Sequence, residues 1–385
     1  MNLLNNKYGC WIVNGVPFKN KFEALFYSNQ IGSVGARFYF HDHIWQNFDR
    51  QLLGKVPLTT LYKERAQQLR DKYNYLVLHY SGGSDSHNIL DTFITNNIKL
   101  DEIYVRWAKP LIDGKFYTPN PHDLSARNSA SEWDFTIKPV LDKLKSSNPE
   151  IKINVVDFTD KFNKSYSVET IENRIVEMGM YRGALGSVAQ RLDKSYEENI
   201  TESKSSNIGH IFGVEKPNIV QEKNTIYMLF YDFTIETALM PNLMQEESVE
   251  LFYWTPDMPL LPMEQAYQVG KFFSEHHKEF LSLNYTATHD PAFRTQLDKK
   301  INIEKFILYK NSWDFEKFQV GKPNAARSDW WHWVHESPEL SSIQTGFKIA
   351  MNNITSKIDK RFLINAEGAS VLQSCKTSHI KIMDV

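Results

Sequence analysis

A short apolar run, Tyr75 to Tyr80 (YLVLHY), ends directly in Ser81-Gly82-Gly83-Ser84-Asp85-Ser86, and a helical pattern starts at once behind it. This junction constrains the fold more than any other stretch of the chain. An apolar run bounded by turn residues suits a parallel strand buried on both faces. The segment from about Asp85 to Asn97 then places Ile89, Leu90, Phe93 and Ile94 on one side of a predicted helix. The same alternation continues downstream. EIYVRW (Glu102 to Trp107) reads as a second strand, and a helix carrying Ile137, Leu141 and Leu144 follows a loop rich in Pro and Asn. INVVDF (Ile153 to Phe158) reads as a third strand. An amphipathic helix then spaces Val168, Ile171, Ile175, Met178, Leu185, Val188 and Leu192 three or four apart. NIGHIFGV (Asn207 to Val214) is a fourth strand and TIYMLFYDF (Thr225 to Phe233) a fifth, open to antiparallel pairing. Strand and helix in alternation predict an α/β fold, a mostly parallel sheet with helices on both faces.

The flanks read differently. Residues 1–70 form an expected N-terminal α+β segment, with strands at Gly9 to Val13 and Ala36 to Phe40. Thr59 and Thr60 are candidate caps for a helix that runs through Tyr73, with Leu61, Ala66 and Leu69 on one face. The α/β unit is expected over 71–245. From about Gln245 the period changes, and 246–385 reads as a mainly helical substrate domain. Helices are predicted from near Pro262 to Leu281 and between Glu339 and Met351.

At 385 residues the chain exceeds what one compact core usually serves, so two or three units are expected. A net charge of −2 disfavours nucleic acid as the main partner, although a local basic patch is compatible with it. Cys10 and Cys375 are the only cysteines, too few for a disulfide framework and suited to a reducing cytoplasm. The N-terminal stretch lacks the order of a signal peptide, and no apolar run has the length of a membrane span. A soluble cytoplasmic protein is the expectation.

Residues 81–86 have the makings of an anion cradle. Two adjacent glycines let the backbone turn sharply and approach a phosphate with no Cβ in the way. Successive N–H groups can converge on the anion, and the following helix directs its positive dipole end to the same spot. Ser81, Ser84 and Ser86 add hydroxyl donors. Ligands of open α/β sheets lie beyond the carboxyl ends of the strands, where this loop falls.

The hexapeptide resembles the SGGxDS signature of the PP-loop ATP pyrophosphatases, a superfamily that includes asparagine synthetase, GMP synthetase, NAD synthetase and several tRNA-modifying enzymes. The match is complete at the five defining positions, and the resemblance covers roughly residues 71–245. The remainder resembles an uncharacterised group of phage-encoded proteins. The resemblance implies a HUP-like PP-loop domain that cleaves ATP between its α and β phosphates, with Mg²⁺. It implies that Ser81, Gly82, Gly83, Asp85 and Ser86 hold the pyrophosphate and its metal, and Ser84 is a binding candidate on its hydroxyl alone. Asp85 would act either through the metal or by fixing the loop, and the sequence does not choose.

Gly213-Val214-Glu215-Lys216-Pro217 follows the fourth strand, where related enzymes place a loop facing the ATP. Lys216 is a candidate to neutralise the departing pyrophosphate, and Glu215 to hold Mg²⁺ together with Asp85. A solvated surface pair is the plain alternative. Amide-forming members of the superfamily carry an acidic pair after glycines on this loop. The single Glu215 beside Lys216 departs from that pattern, which puts the metal ligand in doubt.

Other constellations carry less. His41-Asp42-His43, His276-His277 and His332 with His335 lack the spacing of a four-ligand metal site. Trp330-Trp331-His332-Trp333 could stack a flat substrate, but reads better as core. Arg182 could meet an acidic substrate, and a solvated arginine is the ordinary role. Three functions follow as expectations. The first is an AMP-forming synthetase that activates a carboxylate or amide oxygen of an unidentified acceptor for attack by an amine or ammonia. The second is a phosphoadenylyl-sulfate-reductase-like enzyme, resting on Cys375 alone. The third is a non-catalytic ATP-binding module.

Overall fold

The computed structural model describes residues 4, 6–32, 34–107, 133–157, 167–178, 207–213, 217–232, 249–276, 304–309, 338–366 and 369–385. The N-terminal part builds a small antiparallel sheet, order β2-β1-β3, from β1 (Cys10–Val13), β2 (Val16–Phe18) and β3 (Ala36–Tyr39). Helix α1 (Lys21–Gln30) packs on it, its start capped by the Asn20 side chain accepting from Phe22 N. A short helix, α2 (Asp42–Gln46), precedes α3 (Leu58–Lys72). The expected caps Thr59 and Thr60 lie inside α3, whose cap position is Pro57 with no side-chain bond. Proline presets an extended entry here, so a hydroxyl cap is not used.

The centre is a five-stranded, all-parallel sheet flanked by helices, order β6-β5-β4-β7-β10. Its members are β4 (Tyr75–His79), β5 (Glu102–Trp107), β6 (Lys152–Asp157), β7 (Ile208–Phe212) and β10 (Val249–Leu251). Strand β4 is central and buried along Leu76, Val77 and Leu78, which is why its sequence runs apolar without alternation. After β4 comes α4 (Ser84–Thr95), burying Ile89, Leu90 and Phe93. A π-helical turn, Trp133–Ile137, leads into α5 (Lys138–Ser147), which buries Leu141 and Leu144. Helix α6 (Val168–Met178) follows β6. The expected positions Leu185, Val188 and Leu192, like Arg182, fall outside the described residues.

The fifth strand of the sequence reading joins a different sheet. Strand β9 (Thr225–Leu229) lies between β8 (Asn218–Glu222) and β13 (Ile380–Asp384), antiparallel to both. The fifth strand of the parallel sheet is instead β10, which lies beyond the boundary expected near Gln245. Past that point α7 (Leu260–Glu275) and α8 (Pro338–Thr355) are helical, while β11 (Leu363–Ala366) and β12 (Ala369–Leu372) form a hairpin. Among the described residues one apolar cluster runs through all three expected segments, from Trp11 and Phe38 through Leu76 and Ile211 to Trp254 and Ile382. No described helix is long and apolar enough to cross a membrane.

Two buried ion clusters lock this arrangement. Glu250, fully buried in β10, meets Arg65 of α3 at 2.9 Å, Lys7 at 2.8 Å and Lys72 at 2.9 Å, and accepts from the Tyr73 hydroxyl at 2.6 Å. Burial alone would raise its carboxyl, but the surrounding cations, Arg65 foremost, hold it at about 2. Lys21 of α1, also fully buried, pairs with Asp232 at 2.7 Å, and Asp232 accepts from Trp11 Nε1 at 2.8 Å.

Candidate functional site

From β4 the chain passes outward through β5 to β6, then returns to the opposite side of β4 as β7 and β10. The order of strands reverses between β4 and β7, and in open α/β sheets ligands settle beyond the strand ends at such a point. The residues that leave β4 there are Tyr80 and the Ser81–Ser86 loop, and Gly213 leaves β7 beside them.

The loop is shaped by its own hydroxyls. Ser81 N donates to Ser86 Oγ at 3.2 Å, and the two serine hydroxyls lie 3.2 Å apart. Ser86 Oγ in turn donates to Gly83 O at 3.1 Å, and Gly83 N donates to Ser81 Oγ at 3.3 Å. Gly82 has φ of +78°, a left-handed turn that favours glycine, and a Cβ there would stand 2.6 Å from Ile137 Cγ1. The π-helical turn before α5 therefore closes directly over Gly82.

On the other side Gly213 touches the first turn of α4. A Cβ on it would lie 2.9 Å from Ser86 N and 3.0 Å from Asp85 C. Tyr253, two residues past β10, donates to Asp85 O at 2.9 Å and accepts from Asn88 Nδ2 at 3.0 Å. Tyr309 donates to Asp85 Oδ1 at 2.6 Å. Arg65 supports this side from below, donating to Leu251 O at 3.2 Å and Phe252 O at 3.3 Å. The loop is thus gripped from β5–β6, from the end of β7, from the end of β10 and from the segment 304–309.

The start of α4 has the chemistry of an anion seat. Its cap residue is Gly83, which supplies no side-chain bond to the first turn. The first-turn N–H groups of a helix have no intrahelical partner and carry the positive end of its dipole. Ser84, in that turn, is 2% exposed, and its Oγ has no hydrogen-bond partner among the described residues. A buried hydroxyl without a partner is costly and asks for an acceptor. Phosphate oxygens would satisfy the helix end, whose first-turn N–H groups the Gly83 cap leaves without a side-chain partner. This is the observation by which the residues present fit a phosphate group.

A histidine pair spanning β4 and β7 below the loop was not singled out by sequence reasoning. His79 Nε2 and His210 Nδ1 lie 3.2 Å apart across β4 and β7, and the His79 ring stacks on Phe212 at 4.0 Å between centroids. Burial pushes His210 down to about 4, so its ring is neutral at ordinary pH. The signal was available: both residues are polar interruptions of otherwise apolar strands, His79 at the end of β4 and His210 in the middle of β7.

Of the other sequence candidates, Glu215 and Lys216 fall outside the described residues, as do His277, His332, His335 and the Trp330–Trp333 run. His41, Asp42 and His43 are described and face different partners. Asp42 pairs with Arg37 at 2.6 Å, the His43 ring meets the Tyr39 hydroxyl at 2.5 Å, and His41 Nε2 lies 3.4 Å from Lys7 O. No group of three or more metal-ligating side chains occurs among the described residues. Cys375 sits beside the Lys21–Asp232 pair, its N–H donating to Asp232 Oδ1 at 3.0 Å. Burial pushes its thiol up to about 12, against the opposing pull of Lys21.

A scan of the sequence against protein-family models finds no match, and a search of curated proteins finds none either, so the residues at the β4–β7 switch are what speaks for the site.

Proposed function

We propose that this chain is an ATP-using enzyme of the PP-loop kind, with a HUP-like α/β domain, that cleaves ATP to AMP and pyrophosphate to activate an acceptor. The single observation that carries the reading is a complete SGGxDS loop at the strand-order reversal, leading into a helix start that no side chain caps. The β and γ phosphates lie against the Gly82–Gly83 backbone and the first turn of α4. Ser81 and Ser86 keep the loop in shape through their mutual bonds. An acceptor carboxylate or amide oxygen attacks the α phosphorus, the bond from that phosphorus to the α–β bridging oxygen breaks, and pyrophosphate leaves. An amine or ammonia then displaces AMP. Mg²⁺ bound to the phosphates would lower the cost of the accumulating charge, and Asp85 and Glu215 are the acids proposed to hold it. Lys216 is proposed to stabilise the departing pyrophosphate.

The reductase-like alternative needs a reactive thiolate. A Cys375 thiol held at about 12 is protonated at neutral pH and draws no support. Product analysis with ATP labelled on the α phosphate, with Mg²⁺ and a metabolite extract as acceptor pool, tests the proposal. Labelled AMP that disappears with Asp85→Ala and Ser81→Ala is the expected outcome. Labelled ADP would mean β–γ cleavage and refute it, and bound but uncleaved ATP would point to a binding module.

A further inference from the structure

Asp85 carries a ligand-facing role in the reading above, yet its carboxylate is also the end point of a buried tyrosine cluster. Tyr309 is 1% exposed, and its hydroxyl reaches Asp85 Oδ1 at 2.6 Å. Its ring lies 5.8 Å from that of Tyr253 and 6.4 Å from that of Tyr62. Tyr253 holds the Asp85 carbonyl, so both the backbone and the side chain of one loop residue are fixed by phenols. The cluster is itself anchored. Tyr62 donates to Leu308 O at 3.2 Å and accepts from Gln265 Nε2 at 3.1 Å, which ties 304–309 to α3 and α7.

We propose that Tyr309 is a positioning residue for the phosphate loop: by bonding Asp85 Oδ1 from a segment more than two hundred residues away, it fixes where that carboxylate stands and so couples the C-terminal region to nucleotide binding. The inference rests on the proposed function for its consequence, but the anchoring is a matter of geometry alone. A carboxylate can accept several hydrogen bonds, so a bond from Tyr309 leaves the group chemically able to serve a metal. What the bond removes is rotational freedom, which an unanchored carboxylate would have to lose on each binding event. Burial raises the Tyr309 phenol well above its usual range, so it stays a donor across ordinary pH. The consequence is directional. Whatever displaces 304–309 releases Asp85, and whatever orders Asp85 on a ligand holds 304–309 in place.

The test is a double-mutant cycle on the full chain with Tyr309→Phe and Asp85→Ala, read by ATP–Mg²⁺ affinity and by hydrogen exchange of the 81–88 amides without ligand. Tyr309→Phe removes one oxygen and keeps the buried ring. In the otherwise unaltered protein it should weaken ATP affinity about three- to tenfold, the cost of immobilising one side chain on binding. It should also speed exchange of the loop amides. On the Asp85→Ala background the same change should alter both readouts less than about twofold, because the bond is already gone. Equal effects on the two backgrounds, or no effect on either, would overturn the inference by assigning Tyr309 to general packing. If the unaltered protein does not bind ATP, the nucleotide reading fails separately, and the exchange cycle still decides whether Tyr309 positions the loop. Should Asp85→Ala not fold, Asp85→Leu, which also accepts no bond, takes its place.

Discussion

Gly213, at the end of β7, lies so close to Ser86 that a Cβ placed on it would stand 2.9 Å from the Ser86 backbone nitrogen. The neighbour is backbone, so no flexible side chain can move aside. Gly213→Ala should push the first turn of α4 away from β7, at an overpacking cost of about 1–3 kcal/mol. ATP affinity, measured by titration calorimetry, should fall by at least tenfold, with a smaller drop in melting temperature than a core cavity causes.

Gly82→Ala should harm the loop for two separable reasons. The residue's φ of +78° costs a non-glycine about 1–2 kcal/mol. The added methyl also meets Ile137 Cγ1 at 2.6 Å. Pairing Gly82→Ala with Ile137→Ala removes the clash and leaves the backbone strain. Denaturant unfolding corrected for the Ile137→Ala change alone should therefore show partial recovery, and full recovery would mean that the turn is not strained.

Arg65 joins Glu250 to the carbonyls at the end of β10 from inside the protein. Arg65→Met strands part of the Glu250 charge and should cost about 3–5 kcal/mol, as for other broken buried pairs. Arg65→Lys should rescue little, since one ammonium cannot replace the planar fork that reaches the carboxylate and both carbonyls. Urea unfolding of the two variants compares the losses, and a full rescue by lysine would show that charge alone matters here.

His210 gives a pH window of its own. Burial favours its neutral ring, bringing it from the usual 6.5 to about 4. That stabilisation is in place above pH 6.5 and is lost as pH falls from 6.5 toward 4, because the unfolded chain takes up the proton first. The loss is on the order of 3 kcal/mol. Glu250 acts lower: its contribution is held above 4.5 and lost as pH falls toward about 2. Melting temperatures of His210→Gln should be flatter than those of the unaltered protein between pH 6.5 and 5. An identical slope would place the titration elsewhere.

Cys375→Ser should leave ATP turnover unchanged, and the intact protein should resist thiol-directed alkylation at neutral pH until it unfolds. Both follow from burial, which holds the Cys375 thiol at about 12 and the Cys10 thiol at about 11. Loss of turnover without loss of folding would bring the reductase-like reading back.

The central sheet was legible because its strands announce themselves locally. Leu76, Val77 and Leu78 run apolar without alternation since both faces of the strand are covered there, and the adjacent glycines behind it mark a sharp turn. Strand β10 was missed because only Val249–Leu251 pair, too short a run to show a period, and a buried glutamate sits in its middle. What makes Glu250 tolerable there is a set of cations from residues 7, 65 and 72, which no local pattern can supply. The strand at Thr225–Leu229 was read correctly as a strand and open to antiparallel pairing, but its partner, β13, comes from the far end of the chain.

The sequence by itself determined the strand–loop–helix unit from Tyr75 to Thr95, because its propensities, its glycines and its hydroxyls act over a few residues. Only the tertiary structure decided what surrounds that loop. Ile137, Gly213, Tyr253 and Tyr309 reach it from four separate places in the chain. Contacts of that kind depend on how strand order reverses between β4 and β7, and on which buried charges hold the edge strand. Both are properties of long-range packing, where the free energy of a residue is set by neighbours hundreds of positions away.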